Sequence, residues 1–251
     1  MTDHIDTPEG RRIAYVRTEG QGPGVVFLGG FRSDMQGSKA QALEAWARAS
    51  GRAFLRFDYS GHGQSSGVFE EGAIGDWFED ARYALAALTE GPQILVGSSM
   101  GGWIALLLCR EWPEKVAGLV TIAAAPDFTE DSMWAAMDAG TRDRLETEGQ
   151  IALPSDYADA PYVITRRLIH EGRNRLVLRQ PLALPFPVRC LQGTADRDVP
   201  PEVALRLLDH ATGPDLRLTL VKGADHRFSS PECLSLITQN IEDILKDTAD
   251  V

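Results

Sequence analysis

Short apolar runs alternate with longer amphipathic stretches along the chain, and this alternation limits the folds that it can adopt. The runs are rich in Val, Ile, Leu and Phe and lie at residues 24–28, 53–57, 93–96, 117–123, 188–191 and 216–221. Their hydrophobicity is continuous, which is typical of strands that are buried on both faces of a parallel sheet. Apolar residues recur at helical spacing within residues 41–49, 74–88 and 231–246. The sequence therefore predicts an α/β fold in which helices cover both faces of a doubly wound, mostly parallel sheet.

One long segment interrupts this alternation. Residues 127–186 contain no obvious buried strand, and connections of that length are uncommon in compact α/β domains unless they form a lid or a binding element. We expect a single domain over residues 1–251, with 127–186 as a helical cap inserted into it. The predicted helices of the cap lie at 133–137 and 162–178.

The second predicted cap helix and the residues just after it carry an excess of positive charge. The cationic residues are Arg166, Arg167, Arg173, Arg175 and Arg179, with Glu171 as the single acid among them. One interpretation is a solvated helix face. The other is an electropositive rim that attracts a carboxylate, a phosphate or an acidic partner, and it makes Arg166 and Arg167 candidates for contact with a substrate.

Charge and composition argue against several classes of function. The chain has 25 Lys and Arg against 36 Asp and Glu, a net charge of −11, which repels nucleic acid and anionic membrane surfaces. Its apolar runs are far shorter than the ~20 residues that span a bilayer. The cysteines Cys109, Cys190 and Cys233 lack paired spacing, so we expect reduced thiols and no thiolate metal site. We predict no nucleic-acid partner, no membrane span, no metal and no organic cofactor.

The segment QILVGSSMGGW, residues 93–103, carries the strongest chemical signal. A predicted strand runs into the sequence GSSMG, and an apolar helix over 103–109 follows. A serine on such a strained strand-to-helix turn needs small residues two positions before and after it. Gly97 and Gly101 occupy those positions around Ser99. We therefore predict that Ser99 is a nucleophile.

The same turn predicts where negative charge is stabilised. Ser99 precedes a helix, and free backbone NH groups at a helix N-terminus favour a developing oxyanion. The NH of Met100 is one predicted donor. Phe31 follows Gly29 and Gly30 at the end of an early strand, and its NH is the second.

A serine nucleophile needs a base, and histidine has the suitable intrinsic pKa. His226 follows the last predicted strand and is the favoured candidate, with His62 as the other. The partner acid should follow a neighbouring strand and fix the imidazole tautomer. Asp196 is the favoured acid, and Asp127, which follows the strand at 117–123, remains open as the alternative.

With these residues in place, the chain resembles the α/β-hydrolase superfamily of serine hydrolases. The carrying segments are GGFRSDMQGSKA, LRFDYSGHGQSSG, GPQILVGSSMGGW, WPEKV, GTADRDVP and ADHRF. Within the superfamily the chain is similar to the branch of palmitoyl-protein thioesterases that also act on acyl glucuronides. The resemblance implies the triad Ser99, Asp196 and His226, a turn braced by Asp58 and a structural His62.

The resemblance also implies a function. Members are lid-bearing hydrolases of carboxylic esters and thioesters, so we expect a small-molecule ester or thioester, or an acylated protein, as substrate. The mitochondrial leader of the animal members is absent from this sequence, and we expect a cytoplasmic protein. The alternatives are a non-catalytic ligand- or partner-binding module on a hydrolase scaffold, and a C–C bond hydrolase or perhydrolase that uses the same triad.

Overall fold

The computed structural model describes residues 2–153 and 162–249, and its centre is an eight-stranded sheet. The strands of this sheet are β1 (Asp3–Asp6), β2 (Arg12–Thr18), β3 (Gln21–Leu28), β4 (Arg52–Phe57), β5 (Gln93–Ser98), β6 (Val116–Ile122), β10 (Val188–Gly193) and β12 (Leu216–Val221). The described residues also form two small two-stranded sheets, one of β7 (Gln150–Leu153) with β8 (Tyr162–Thr165) and one of β9 (Leu182–Ala183) with β11 (Ala211–Thr212). The α-helices are α1 (Ser38–Ser50), α2 (Ile74–Leu88), α3 (Met100–Glu111), α4 (Ala139–Glu148), α5 (Arg166–Arg173), α6 (Pro201–His210) and α7 (Pro231–Ala249). Shorter 3₁₀ turns span Phe69–Glu71 and Pro113–Lys115, and a π-helical turn spans Thr129–Trp134.

The sheet has the order β1-β2-β4-β3-β5-β6-β10-β12. The pairs β1/β2 and β2/β4 are antiparallel, and every pair from β4 to β12 is parallel. This confirms the predicted α/β-hydrolase fold with its mostly parallel sheet. The carboxyl ends of β5, β10 and β12 therefore open on the same edge.

The continuous hydrophobicity of the central strands reflects burial on both faces. On β5, Leu95 packs in the cluster that contains Trp77 of α2 and Trp103 of α3. Its neighbours Ile94 and Val96 pack in the opposite cluster, with side chains of α1 and α7. Adjacent strand residues point to opposite faces of a sheet, so a strand covered by helices on both sides must be apolar throughout.

Residues 127–186, the predicted cap, have more structure than the sequence predicts. The π-helical turn, α4, α5 and an antiparallel hairpin of β7 and β8 lie within residues 127–186, while residues 154–161 lie outside the described part. The helix predicted over 162–178 is wrong at both ends, because Tyr162–Thr165 is strand β8 and α5 ends at Arg173. Thr165 then caps α5, since its side chain accepts a hydrogen bond from the Leu168 amide at 3.1 Å.

Two further expectations concern the thiols and the membrane. Cys109, Cys190 and Cys233 are all buried and unpaired with one another, as expected for reduced thiols. Among the described helices, none has the length and apolar character needed to cross a bilayer.

Candidate active site

Ser99 occupies a strained turn between β5 and α3. Its backbone has φ 54° and ψ −118°, in the left-handed half of conformational space that side chains other than glycine rarely adopt. Three hydrogen bonds hold it there. The Ser99 amide donates to the carbonyl of Ile122 at 2.9 Å, and the Ser99 carbonyl accepts from the amides of Gly102 at 2.9 Å and Ala125 at 3.1 Å.

Glycines beside this turn allow the surrounding backbone to approach closely. A Cβ at Gly97 would lie 2.4 Å from the carbonyl oxygen of Gly101. A Cβ at Gly101 would lie 2.1 Å from the carbonyl oxygen of Leu28, at the end of β3. The small residues that the sequence motif predicts are thus required by backbone contacts.

The structure brings together Ser99, His226 and Asp196. His226 Nε2 lies 3.1 Å from Ser99 Oγ, and His226 Nδ1 lies 2.8 Å from Asp196 Oδ2. Each residue follows the carboxyl end of a strand: β5 for Ser99, β10 for Asp196 and β12 for His226. The parallel sheet therefore places at one edge three residues that are far apart in the chain.

Asp196 is buried among hydrogen-bond donors. Its Oδ1 accepts from the amides of Asp198 and Val199, both at 2.9 Å, and its Oδ2 also accepts from Gln192 Nε2 at 3.0 Å. Burial by itself would raise the pKa of the carboxyl. The hydrogen bonds from His226, Val199 and Gln192 outweigh burial, so the pKa of Asp196 lies below its ordinary value. The site therefore holds a carboxylate next to the imidazole.

Asp127, the alternative acid, is engaged elsewhere. Its carboxylate accepts from the amides of Val177 and Leu178 at 2.8 and 3.0 Å and from Arg179 Nη1 at 2.9 Å. These bonds join the first residue of the predicted cap to a stretch near the end of that cap. Asp196 is thus the acid that contacts His226.

The two predicted oxyanion donors lie next to Ser99. Met100 is the first residue of α3, so its NH has no partner within the helix. Phe31 follows Gly30, where a Cβ would lie 3.4 Å from Ser99 Cβ. Among the described residues, the Phe31 NH donates no hydrogen bond to a backbone carbonyl. The Phe31 ring is fixed by edge-to-face contact with Phe69 at 4.8 Å between centroids.

A cavity of about 850 Å³ opens beside Ser99 and His226. Part of its lining is apolar, and residues 127–186 contribute Phe128, Met133, Tyr162 and Leu178 to that part. The remainder is polar and mixed in charge: Arg32, Asp34, Lys39, Asp131, Asp198, Glu202, Arg206 and Arg227. The cavity beside the serine thus has both apolar and charged lining.

Arg166 and Arg167 are not among the residues that line this cavity. Arg166 donates to the carbonyl of Glu146, and Arg167 forms an ion pair with Asp76 at 2.6 Å. Farther along, Arg173 pairs with Glu130. Arg167 and Arg173 are thus paired with acids distant in sequence, and the electropositive rim stays a prediction. The cations at the cavity are Arg32, Lys39, Arg206 and Arg227.

Two polar residues that lie beside the site were not identified from the sequence. Gln192 lies on β10 and donates to Asp196, and Lys39 lies on α1 and lines the cavity. Gln192 has a weak signal, since it ends a predicted strand four positions before the acid. Lys39 falls within GGFRSDMQGSKA, one of the segments that carry the family resemblance, but no motif assigns it a role.

His62 and Asp58 have the environments that a structural role requires. His62 is buried against the rings of Tyr59, Phe69 and Trp77. Asp58 Oδ1 accepts from the Met35 amide at 2.6 Å, and Oδ2 accepts from the Gln64 amide at 2.8 Å. The carboxylate thus joins the turn after β4 to the loop before α1.

The described residues include one group of side chains close enough together to ligate a metal ion: Asp196, Asp198 and His226. Two of its members, Asp196 and His226, already bond to each other at 2.8 Å. The group therefore coincides with the acid and base described above.

Comparison with known proteins decides the family. A family model described as serine aminopeptidase, S33, matches residues 24–158. Palmitoyl-protein thioesterase ABHD10, mitochondrial, of Rattus norvegicus is 37% identical over 242 residues, which cover 96% of this chain and 81% of the relative. The chain therefore belongs to the α/β-hydrolase family that includes these palmitoyl-protein thioesterases.

Solved structures agree with the assignment to the α/β hydrolases. Alpha/beta hydrolase domain-containing protein 10 from mouse has a TM-score of 0.91 at 35% identity, with 98% of this chain and 99% of that chain covered. A protein from Agrobacterium vitis S4 has a TM-score of 0.93 at 38% identity, with 97% and 98% covered. The likeness extends over essentially the whole chain.

The relatives correct one expectation. The thioesterases of Rattus norvegicus, Mus musculus and Bos taurus, which match 93% or more of this chain, are named mitochondrial. The prediction of a cytoplasmic location, which depended on the N-terminal sequence, is therefore wrong on this comparison.

Proposed function

We propose that this α/β hydrolase cleaves carboxylic esters and thioesters with Ser99 as nucleophile, His226 as general base and acid, and Asp196 as the orienting carboxylate. One observation carries the proposal: the continuous contact from Ser99 Oγ to His226 Nε2 at 3.1 Å and from His226 Nδ1 to Asp196 at 2.8 Å. A serine hydroxyl is a weak nucleophile until such a base removes its proton.

The proposed reaction proceeds in two half-reactions. Ser99 Oγ attacks the acyl carbon while His226 Nε2 takes the hydroxyl proton, and the buried Asp196 stabilises the imidazolium that forms. The tetrahedral intermediate expels an alcohol or thiol, which receives the proton from His226. A water molecule then attacks the acyl-enzyme by the same path and releases the carboxylic acid. Both half-reactions use the same serine, histidine and carboxylate.

The developing oxyanion is assigned to the NH groups of Phe31 and Met100. The support is their position beside Ser99, at the N-terminus of α3 and at the end of a glycine-rich loop. Fixed backbone dipoles of this kind stabilise negative charge without reorganising during the reaction. The aromatic contact of Phe31 with Phe69 holds that loop in place.

Residues 127–186 are assigned as a cap that selects the acyl group. Phe128, Met133 and Leu178 belong to this segment and form apolar lining of the cavity. An apolar wall favours a hydrocarbon chain, since burial of each CH₂ contributes about 0.8 kcal/mol. The lining residues that support this assignment lie on both sides of residues 154–161, with Phe128 and Met133 before them and Tyr162 and Leu178 after them.

For the substrate we infer acyl thioesters, including acylated cysteine of proteins, together with oxygen esters. Relatives at up to 38% identity are named palmitoyl-protein thioesterase, and the cavity of about 850 Å³ has an apolar wall for an acyl chain. Esters and thioesters pass through the same acyl-enzyme and differ only in the leaving group.

Paired kinetics test this function. The substrates are p-nitrophenyl butyrate, p-nitrophenyl palmitate and palmitoyl-CoA, each with wild type, Ser99→Ala and the neighbouring control Ser98→Ala. We expect Ser99→Ala to lower kcat on the order of 10³-fold or more, with Ser98→Ala close to wild type. Wild type should hydrolyse both the thioester and the esters. Loss of activity in Ser98→Ala alone, or binding of all substrates without turnover, would contradict the proposal.

A further inference from the structure

Lys39 is a cation in a position that helix stability does not explain. It is the second residue of α1, whose first turn contains no acidic side chain. The N-terminal end of a helix carries partial positive charge and disfavours cations. Lys39 is also half-buried, and its pKa lies below the ordinary lysine value, chiefly because burial disfavours the ammonium, although Asp225 opposes this shift.

The ammonium reaches the loop that carries His226. Lys39 Nζ donates a hydrogen bond to the backbone carbonyl of Arg227 at 2.5 Å. Arg227 directly follows His226 in the chain, while Lys39 lies 188 positions away from it. This contact therefore ties the start of α1 to the loop after β12.

Other contacts fix the two ends of that loop. The Ala195 amide donates to the carbonyl of Ala224 at 3.0 Å, before the histidine. After it, the Phe228 amide donates to Asp225 Oδ1 at 3.1 Å, and the Phe228 ring is fully buried. The Lys39 contact falls between these anchors, at the peptide that follows His226.

The start of α1 is itself firmly held, so it can serve as a reference point. Ala40, next to Lys39, is fully buried, and Leu43 one turn later is 1% exposed. Both belong to the same apolar cluster as Phe228. A hydrogen bond from this rigid helix end restrains the His226 loop more than a bond from another loop would.

We propose that Lys39 is a positioning residue that holds the His226 loop through the Arg227 carbonyl. The inference depends on the proposed role of His226 as the base. His226 must reach Ser99 Oγ with one ring nitrogen and Asp196 with the other. A misplacement of about 1 Å in such a constellation can cost on the order of 10²-fold in rate, so a restraint on the neighbouring peptide directly affects turnover.

The test uses Lys39→Met, which keeps the apolar stem and removes the donor. For the neutral substrate p-nitrophenyl butyrate, we expect kcat to fall about tenfold while KM stays within about twofold. The rate of fluorophosphonate labelling at Ser99 should fall in the same proportion. Lys39→Arg keeps a donor at the end of a long side chain and should restore most of kcat.

Lys115→Met is the matched control. Lys115 is also half-buried, and its ammonium lies over the Trp112 ring at 5.6 Å, outside the cavity lining. This variant should have the kcat of wild type. The thermal unfolding transition of each variant is measured to show that the protein is folded at the temperature of the assay.

Three results would overturn the inference. The first is a Lys39→Met kcat equal to that of Lys115→Met. The second is a change confined to KM for an anionic ester such as mono-p-nitrophenyl glutarate, because Lys39 would then be a substrate contact. The third is failure of Lys39→Arg to restore any activity. His226→Ala separates these from the function itself: if that variant labels at the wild-type rate, the proposed function fails.

Discussion

His226 Nδ1 lies 2.8 Å from Asp196 Oδ2, and the Asp196 side chain has no solvent exposure. A carboxylate in this position fixes which imidazole nitrogen carries the proton and stabilises the cation formed during attack by serine. Hydrogen bonds from the Asp198 and Val199 amides keep the carboxylate in place. The acid and the base therefore function as a unit.

Asp196→Asn should lower kcat by on the order of 10⁴-fold, because an amide at this position favours the wrong imidazole tautomer. The measurement is steady-state hydrolysis of p-nitrophenyl butyrate. Asp127→Asn is the contrasting variant, since Asp127 binds Val177, Leu178 and Arg179 instead of a histidine. It should lower stability and leave kcat of the folded fraction nearly unchanged. The reverse pattern would assign the acid to Asp127.

Gln192→Met should reduce kcat several-fold with little change in stability. The Gln192 amide donates to Asp196 Oδ2 at 3.0 Å and to the Val199 carbonyl at 2.9 Å, while its Oε1 is buried with no partner among the described residues. An unsatisfied buried oxygen costs about 1–3 kcal/mol, so loss of the whole amide largely cancels in the free energy of unfolding. The variant therefore differs from wild type mainly in that the Asp196 carboxylate is less restrained, which lowers kcat.

Gln93→Met is the control for that variant. Gln93 is likewise a buried glutamine, but it begins β5 and donates to the carbonyl of Glu90 at 2.7 Å, at the other end of the strand from Ser99. Urea denaturation and kcat are measured for both variants. A Gln192→Met enzyme as fast as Gln93→Met would show that the amide does not support Asp196.

The central strands were predictable because burial on both faces requires continuous hydrophobicity. All six apolar runs correspond to β3, β4, β5, β6, β10 and β12. Strands β1 and β2 were missed. β1 is the exposed, polar sequence DHID at the edge of the sheet, and β2 alternates buried and exposed side chains over part of its length. Neither has the pattern of a strand covered on both sides.

Contacts between distant residues explain the other differences. Ser99, Asp196 and His226 were predictable because each follows a strand, and parallel strands share an edge. The pairing of Arg167 with Asp76 joins residues 91 positions apart, and the contact of Lys39 with Arg227 spans 188. A single sequence contains no local pattern for such pairs.

Gly101→Ala should destabilise the protein by about 2 kcal/mol or more and reduce activity. Alanine has a higher helix propensity, but its Cβ would lie 2.1 Å from the backbone carbonyl oxygen of Leu28. Gly140→Ala on α4 is the control, since the nearest atom, Asp138 Oδ1, is 3.6 Å from the Cβ position. That variant should be neutral or gain up to about 1 kcal/mol. Equal stability of the two variants in urea would refute the packing argument.

Stability should fall in mild acid because of His62. Burial is the main cause that lowers the pKa of His62 to about 4. The contact with the Ser60 carbonyl opposes this shift and the charge of Arg32 adds to it, whereas an unfolded histidine titrates near pH 6.5. Between about pH 6.5 and 4, His62 binds a proton in the unfolded chain but stays neutral in the folded chain. The free energy of unfolding should therefore decrease across this range, by up to about 3 kcal/mol.

His62→Phe removes this proton and should flatten the dependence between those pH values. His4→Phe is the control, because His4 is exposed on β1 and its loss should leave the wild-type slope. The measurement is the free energy of unfolding in urea at several pH values. Identical slopes for the two variants would exclude His62 as the cause.

Mass spectrometry of the protein after reaction with a fluorophosphonate tests the central claim most directly. Such a probe reacts much faster with a serine that a neighbouring base activates than with an ordinary serine. The account predicts one adduct per chain, on the peptide that contains Ser99, with labelling lost in His226→Ala and retained in Ser98→Ala. An adduct on another serine, or Ser99 labelled equally fast without His226, would contradict it.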